Sequence, residues 1–216
     1  MSRNSNPVRY KLVSFDFDGT LADSSAWFFE TYNRLAPEFG FEMLDPHCPI
    51  IRTLNTRDVM RHLGVPLWKL PRLVTRLRTL AAQEANRIPL FPGIGELFNE
   101  LHTRQIKIAI VSSNSEETVR RVLGAGNASL VNYFACGASL FGKAARLRAL
   151  LRRSRRRPME CIYIGDETRD AEAARQAQVD FGAVEWGYAD PAALTKLSPR
   201  MVFSDVREIV PKITAG

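Results

Sequence analysis

Cysteine and histidine are scarce in this chain. Its 216 residues include only three histidines and three cysteines, Cys48, Cys136 and Cys161. An odd number of widely spaced cysteines fits neither a disulfide framework nor a paired-cysteine zinc site, so we expect three reduced thiols. The histidines are not spaced like metal ligands either. These patterns argue against a thiol or imidazole metal centre.

Long apolar runs are missing as well. No stretch approaches the roughly 20 uninterrupted apolar residues that a membrane span needs. The first nine residues are polar and lack the apolar run of a signal peptide, so we expect a cytoplasmic protein without membrane contact. The chain is 45% hydrophobic and 25% charged, the balance of a globular protein. Its length suits one α/β domain or one domain with a sizeable insertion.

Acidic residues are outnumbered, 23 against 30 basic ones, and the excess charge of +7 is local. Eight basic residues and no acidic one lie between positions 143 and 157: Lys143, Arg146, Arg148, Arg152, Arg153, Arg155, Arg156 and Arg157. Leucines interleaved with the first of them predict a helix with a solvated basic face. The tail Arg152 to Arg157 could reach an acidic partner, but no interleaved aromatics or recognised module accompany it. We therefore do not expect nucleic-acid binding.

Outside residues 24–88, apolar strands alternate with amphipathic helices. The patterns predict strands at 11–15, 106–111, 161–164 and 180–184, and helices at 96–104, 116–123, 144–153 and 168–177. Strands separated by such helices predict a doubly wound, mostly parallel, Rossmann-like α/β sheet. Residues 24–88 instead show helical periodicity interrupted by prolines. We therefore predict a catalytic core of residues 1–23 and 89–216, with a small helical domain inserted at 24–88.

Polar side chains follow several of the predicted strands. They are Asp16 and Asp18 after the first strand, Ser112 after the second, Lys143 at a helix start, and Asp166 with Asp170 after a later strand. Each alone is a common turn device. In a parallel sheet, however, ligands sit beyond the carboxyl ends of the strands, so the set is expected to converge.

The convergent set has the chemistry of phosphoryl transfer. A carboxylate pair two residues apart can present oxygens to both a substrate and a hard cation such as Mg²⁺. Lys143 would neutralise the attacking carboxylate and the phosphoryl oxygens. Ser112 and the backbone amide of Ser113 could hold one phosphoryl oxygen. In the insertion, Arg52 could clamp a substrate carboxylate or a second phosphate, although a solvated helix turn is the favoured interpretation.

Four segments in order resemble the motifs of the haloacid dehalogenase superfamily of phosphohydrolases. They are Asp16-Phe17-Asp18-Gly19-Thr20-Leu21, Ile110-Val111-Ser112-Ser113-Asn114, Gly142-Lys143, and Ile164-Gly165-Asp166-Glu167-Thr168-Arg169-Asp170. The match spans nearly the whole chain. The segment 184–188 is similar to one in the phosphoglycolate phosphatase branch, which places a helical cap domain where residues 24–88 lie here.

The resemblance implies a role for each matching residue. Asp16 would attack phosphorus to form an aspartyl-phosphate, and Asp18 would protonate the leaving group and later deprotonate water. Asp16, the backbone carbonyl of Asp18 and Asp166 would hold Mg²⁺. Asp170 would be a further ligand or, as the favoured role, a carboxylate that steadies Lys143 or a metal-bound water. The substrate would be a small phosphorylated metabolite, contacted by Thr20, Ser113, Asn114 and Arg52.

Alternatives remain within this resemblance. Carbon–halogen cleavage is disfavoured because those relatives lack an acid at the position matching Asp18. Phosphonoacetaldehyde cleavage would need a Schiff-base lysine, for which Lys69 is the only lysine of the insertion. A phosphomutase would keep the same core residues, and a polyanion-binding module would use the basic tail. The sequence leaves open monomer or homodimer.

Overall fold

A six-stranded parallel sheet forms the centre of the protein. The computed structural model describes residues 9–45, 66, 68–137 and 142–215. The strands are β1 (Leu12–Phe15), β2 (Lys107–Val111), β3 (Tyr133–Ala135), β4 (Cys161–Gly165), β5 (Asp180–Val184) and β6 (Met201–Phe203). Their order is β3-β2-β1-β4-β5-β6, and every neighbouring pair is parallel. The doubly wound sheet is confirmed. The chain turns from one side of β1 to the other after β3, which creates a crevice beyond the carboxyl ends.

Helices connect the strands, and those at 94–103, 116–130, 143–154 and 168–177 correspond to predicted helices. They are α1 (Ser25–Phe39), α2 (Leu70–Gln83), α3 (Ile94–Thr103), α4 (Glu116–Leu130), α5 (Lys143–Ser154), α6 (Thr168–Ala177), α7 (Pro191–Thr195) and α8 (Ile209–Thr214). The prediction ended α4 at residue 123, but the helix resumes beyond a kink. The kink is at Gly124, whose φ of 73° and ψ of 161° suit only glycine.

Alternate residues along each strand face opposite layers of the core. On β1, Val13 and Phe15 join the cluster formed with α3, α4 and α8, whereas Leu12 joins the cluster formed with α5, α6 and α7. The two-residue repeat of a strand produces this division, and both faces are apolar because both are covered. A sheet buried on both sides holds its carboxyl edge rigidly, which positions the site.

The segment between β1 and α3 holds α1 and α2 in its described part. These helices share a third apolar cluster that includes Tyr32, Leu35 and Leu73. The chain enters and leaves the segment side by side, since the amide of Asp23 donates to the carbonyl of Pro89 at 2.9 Å. The bounds 24–88 of an inserted domain stay a prediction. Arg52 lies outside the described residues.

The basic residues at the end of α5 lie on its solvated side. Leu147 and Leu150 are buried in the core, while Arg152 and Arg153 are exposed in the last turn, where cations favour the helix dipole. The guanidinium of Arg153 lies 5.6 Å from the centre of a tyrosine ring on β3. None of the helices in the described part of the chain is long and apolar enough to cross a membrane.

Candidate active site

Side chains from three adjacent strands meet at the carboxyl edge of the sheet. Asp16 follows β1, Ser112 follows β2 and Asp166 follows β4. The pairing register places Phe15 beside both Ile110 and Ile164, so these strands end at the same level. The start of α5 supplies Lys143 to the same place. The structure thus brings together the residues that the motifs singled out.

Lys143 lies between two carboxylates. Its Nζ is 2.6 Å from Oδ2 of Asp16 and 2.5 Å from Oδ1 of Asp170, and all three side chains are at most 5% exposed. Burial alone would favour the neutral amine, but Asp16 and Asp170 outweigh it and raise the pKa of Lys143. The lysine is therefore a fixed cation, held against one oxygen of the candidate nucleophile.

Asp170 is held by protein donors on both oxygens. Besides Lys143, Oδ1 accepts from the hydroxyl of Tyr163 at 3.0 Å, and Oδ2 accepts from the amide of Glu167 at 3.1 Å. Burial acts to raise the pKa of Asp170, but Lys143 and Arg169 hold it below its ordinary value. This carboxylate stays ionised and fixes the lysine, the role that the resemblance favours over direct metal contact.

Asp166 is fixed by two donors from neighbouring loops. The hydroxyl of Thr20 donates to Oδ1 and the amide of Tyr188 donates to Oδ2, each at 2.8 Å. The loops pass so close that a Cβ on Gly19 or Gly187 would lie under 3.0 Å from Asp166 atoms. Burial, helped by Glu167 and Asp16, raises the pKa of Asp166 well above its ordinary range.

Three buried carboxylates form a group suited to a hard cation. One oxygen each from Asp16, Asp166 and Asp170 lies within 4.8 Å of the others. Burial and the nearby Asp170 raise the pKa of Asp16 to about 7, despite its lysine partner. Negative charge is thus crowded in this pocket beyond what Lys143 neutralises. Oxygen donors in this state fit Mg²⁺, which prefers carboxylates and retains water ligands.

Both carboxylate oxygens of Asp18 accept hydrogen bonds. Oδ1 accepts from the hydroxyl of Ser24 and Oδ2 accepts from the side-chain amide of Asn114, each at 2.9 Å. Desolvation raises the pKa of Asp18. The buried hydroxyl of Ser112 accepts from the amide of Asn114 at 3.0 Å, which fixes the turn after β2 and leaves Ser113 half-buried beside it. A carboxyl with a raised pKa suits proton transfer near neutral pH.

Sequence reasoning missed several residues of this site. Arg169 forms an ion pair with Glu167 and places a second cation beside the carboxylates, and these carboxylates raise its pKa against the effect of burial. Ser24 and Tyr188 contact Asp18 and Asp166 from outside the quoted motifs. The similarity of residues 184–188 to the phosphoglycolate phosphatase branch could have pointed to Tyr188, but it assigned no role to that residue.

Lys69, which one alternative would need as a Schiff-base lysine, directly precedes α2 in the segment between β1 and α3. Its Nζ donates to the carbonyl of Phe39 at 2.8 Å and lies over the ring of Phe41. These contacts anchor the start of α2 against the end of α1. A packing role accounts for this lysine.

Comparison with known proteins gives consistent matches. The model of the haloacid dehalogenase-like hydrolase family matches residues 13–184. A phosphoglycolate phosphatase of Synechococcus elongatus is 32% identical over 94% of this chain and 96% of its own. A pyrophosphatase of Oceanobacillus iheyensis is 21% identical over 93% of this chain and 95% of its own. The structure of a haloacid dehalogenase-like hydrolase from Streptococcus pneumoniae superimposes with a TM-score of 0.78 at 21% identity, covering 94% of this chain and 98% of that one.

Proposed function

The chain belongs to the haloacid dehalogenase-like hydrolases, and from that premise we propose that it hydrolyses a small phosphomonoester with Mg²⁺ through an aspartyl-phosphate on Asp16. Phosphoglycolate is the first substrate to test, because the relative from Synechococcus elongatus carries that name. Another relative is named a pyrophosphatase, so the substrates given in the relatives' names differ. We also propose a cytoplasmic location and a cap formed by residues 24–88.

One observation carries the proposal. The Asp16 carboxylate lies 2.6 Å from the ammonium of Lys143 and within a group of three buried carboxylates. A nucleophilic carboxylate needs a cation that restrains its charge and a second one that neutralises the incoming phosphoryl group. Lys143 meets the first need. Asp16 and Asp166, two members of that group, would meet the second by providing ligands for a divalent ion.

The proposed reaction has two steps that balance. In the first, an Asp16 oxygen bonds to phosphorus, the bond to the leaving oxygen breaks, and Asp18 gives its proton to that oxygen. In the second, the Asp18 carboxylate takes a proton from water while the water oxygen attacks phosphorus. The bond between phosphorus and the Asp16 oxygen then breaks, which releases inorganic phosphate and regenerates the Asp16 carboxylate.

Other residues orient these groups. Asp16, the backbone carbonyl of Asp18 and Asp166 would hold Mg²⁺, which when bound neutralises phosphoryl oxygens. Thr20 and the Tyr188 amide keep Asp166 in place, and Asp170 keeps Lys143 in place. Ser112, Ser113 and Asn114 would contact the phosphoryl group from the turn after β2. Arg52 is proposed for the rest of the substrate.

A screen of phosphomonoesters with purified protein tests this function. We expect phosphate release that requires Mg²⁺ and stops with a chelator. The Asp16→Asn variant should lose at least about 10³-fold in kcat, because the nucleophile is gone. Acid quenching with a radiolabelled substrate should trap phosphate on the wild type but not on this variant. Full activity in Asp16→Asn would refute the mechanism, and isomerised product without phosphate release would identify a phosphomutase.

A further inference from the structure

A chain of hydrogen bonds joins Tyr188 to the candidate acid Asp18. The phenol oxygen of Tyr188 lies 2.6 Å from the hydroxyl oxygen of Ser24, which in turn lies 2.9 Å from Oδ1 of Asp18. Serine has one hydroxyl proton, and here it is donated to the aspartate. While Asp18 is ionised, the phenol of Tyr188 therefore donates to Ser24. The direction of the chain is Tyr188 to Ser24 to Asp18.

Ser24 is placed where serine ordinarily has another task. It is the residue before α1, and serine at that position usually bonds to a backbone amide of the first helical turn. Its side chain makes no such capping bond here. Ser24 is 2% exposed, and its hydroxyl is directed to Asp18 instead. Because its hydroxyl contacts Asp18 and does not cap α1, Ser24 has a position that indicates a role in the site.

The hydroxyl of Tyr188 is not needed to hold its own loop. The backbone amide of Tyr188 already donates to Asp166 at 2.8 Å, and the indole of Trp186 donates to the carbonyl of Thr20 at 3.1 Å. The loop after β5 is thus tied to the core by bonds that do not involve the phenol. Loss of the phenol oxygen should leave the loop and the Asp166 contact in place.

We propose that Tyr188 is a positioning residue for acid–base chemistry, acting through Ser24 to orient the carboxyl group of Asp18. This inference rests on the proposed phosphatase function. Asn114 holds Oδ2 from the opposite side at 2.9 Å, so the plane of the carboxyl group is set by two donors on different elements. Without the phenol of Tyr188, the hydroxyl of Ser24 would be free to rotate, and the carboxyl group of Asp18 would lose one of its two restraints. Proton delivery to the leaving oxygen would then suffer, because it depends on alignment.

Leaving groups of different basicity separate this role from a general structural one. An alkyl phosphate such as phosphoglycolate needs protonation of its leaving oxygen, whereas p-nitrophenyl phosphate releases a stable anion without it. The ratio kcat/KM reports the steps up to loss of the leaving group. General acid catalysis contributes about 10²–10⁴-fold, and misalignment should forfeit part of this factor.

The experiment compares Tyr188→Phe and Ser24→Ala with wild type on both substrates in Mg²⁺. We expect kcat/KM on phosphoglycolate to fall about tenfold in Tyr188→Phe and up to about 10²-fold in Ser24→Ala, while that on p-nitrophenyl phosphate changes less than about twofold. The double variant should be no worse than Ser24→Ala, because Tyr188 acts through Ser24. Tyr10→Phe is the matched control, since its hydroxyl bonds to Asp180 at 2.6 Å at the opposite edge of the sheet.

Three results would overturn the inference. These are equal losses on both substrates, unchanged kcat/KM on phosphoglycolate in both variants, and a double variant whose losses multiply. Wild-type protein that releases phosphate from no phosphomonoester of the screen would instead refute the proposed function from which the inference starts. Wild-type data alone identify that outcome, so the two failures are distinguishable.

Discussion

Replacing Lys143 with methionine should destabilise the metal-free protein by an amount that depends on pH. Methionine keeps an apolar stem of similar length and removes the ammonium group. The lost group lies 2.6 Å from Asp16 and 2.5 Å from Asp170, both buried. Removing one partner of a buried ion pair leaves uncompensated charge and costs about 3–5 kcal/mol.

The pH dependence follows from the pKa of Asp16, which is about 7 in the folded protein and 3.8 ordinarily. Without Lys143 this pKa should rise further, so the carboxyl takes up a proton more readily. At pH 8 the wild type is stabilised by the ionised pair of Asp16 with Lys143, which the variant lacks. At pH 5 Asp16 is protonated, and only the lost contact with Asp170 remains. The loss in free energy of unfolding should therefore be smaller at pH 5.

Urea unfolding in a chelator at pH 8 and pH 5 measures both values, provided that the transition is cooperative. Lys212→Met serves as the control, because the Lys212 side chain is 44% exposed and its ion pair with Glu208 should contribute little. The reasoning fails if Lys143→Met loses less than about 1 kcal/mol at pH 8, or loses the same at both pH values. The same variant should lack phosphatase activity.

Two further predictions concern the same carboxylates. Metal-free wild type should become more thermally stable as the pH falls from 8 to 5, because the raised pKa of Asp16 makes the folded state bind more protons than the unfolded state. The free energy of unfolding should rise by up to about 1.4 kcal/mol per pH unit. An unchanged or falling Tm in a chelator would contradict this. Gly187→Ala should weaken Mg²⁺-induced thermal stabilisation and activity, because its Cβ would lie under 3.0 Å from Asp166 atoms. Gly126→Ala, a helical site with nothing within 4 Å, should keep both properties. Equal behaviour of the two alanine variants would refute the packing argument.

The central strands and most helices of the core were predictable from sequence. Strands buried on both faces appear as mainly apolar runs, and β1, β2, β4 and β5 have this form apart from Ser14 and the polar first residues of β2 and β5. The edge strands β3 and β6 were not predicted. Each has three residues, too few to establish a repeat, and each forms because a longer neighbour offers backbone partners.

The sequence also nominated the residues of the site, because motif spacing places them after strands. It could not nominate Ser24 and Tyr188, which are 164 positions apart and meet only when the loop after β5 folds over the start of α1. Nor could it show that Ser24 forgoes helix capping. A serine before a helix has the same sequence pattern whether its hydroxyl faces a backbone amide or a carboxylate.

The sequence by itself determined the order of strands and helices, and with it the carboxylates and the lysine that parallel strands bring to one edge. Local patterns suffice for this because strand and helix periods are encoded in neighbouring residues. Only the tertiary structure determined which groups contact each charged side chain. Lys143 lies between two aspartates, Asp166 packs against Gly19 and Gly187, and Asp18 accepts from Ser24 and Asn114. Burial and distance set those electrostatics, and both depend on contacts between residues remote in the chain.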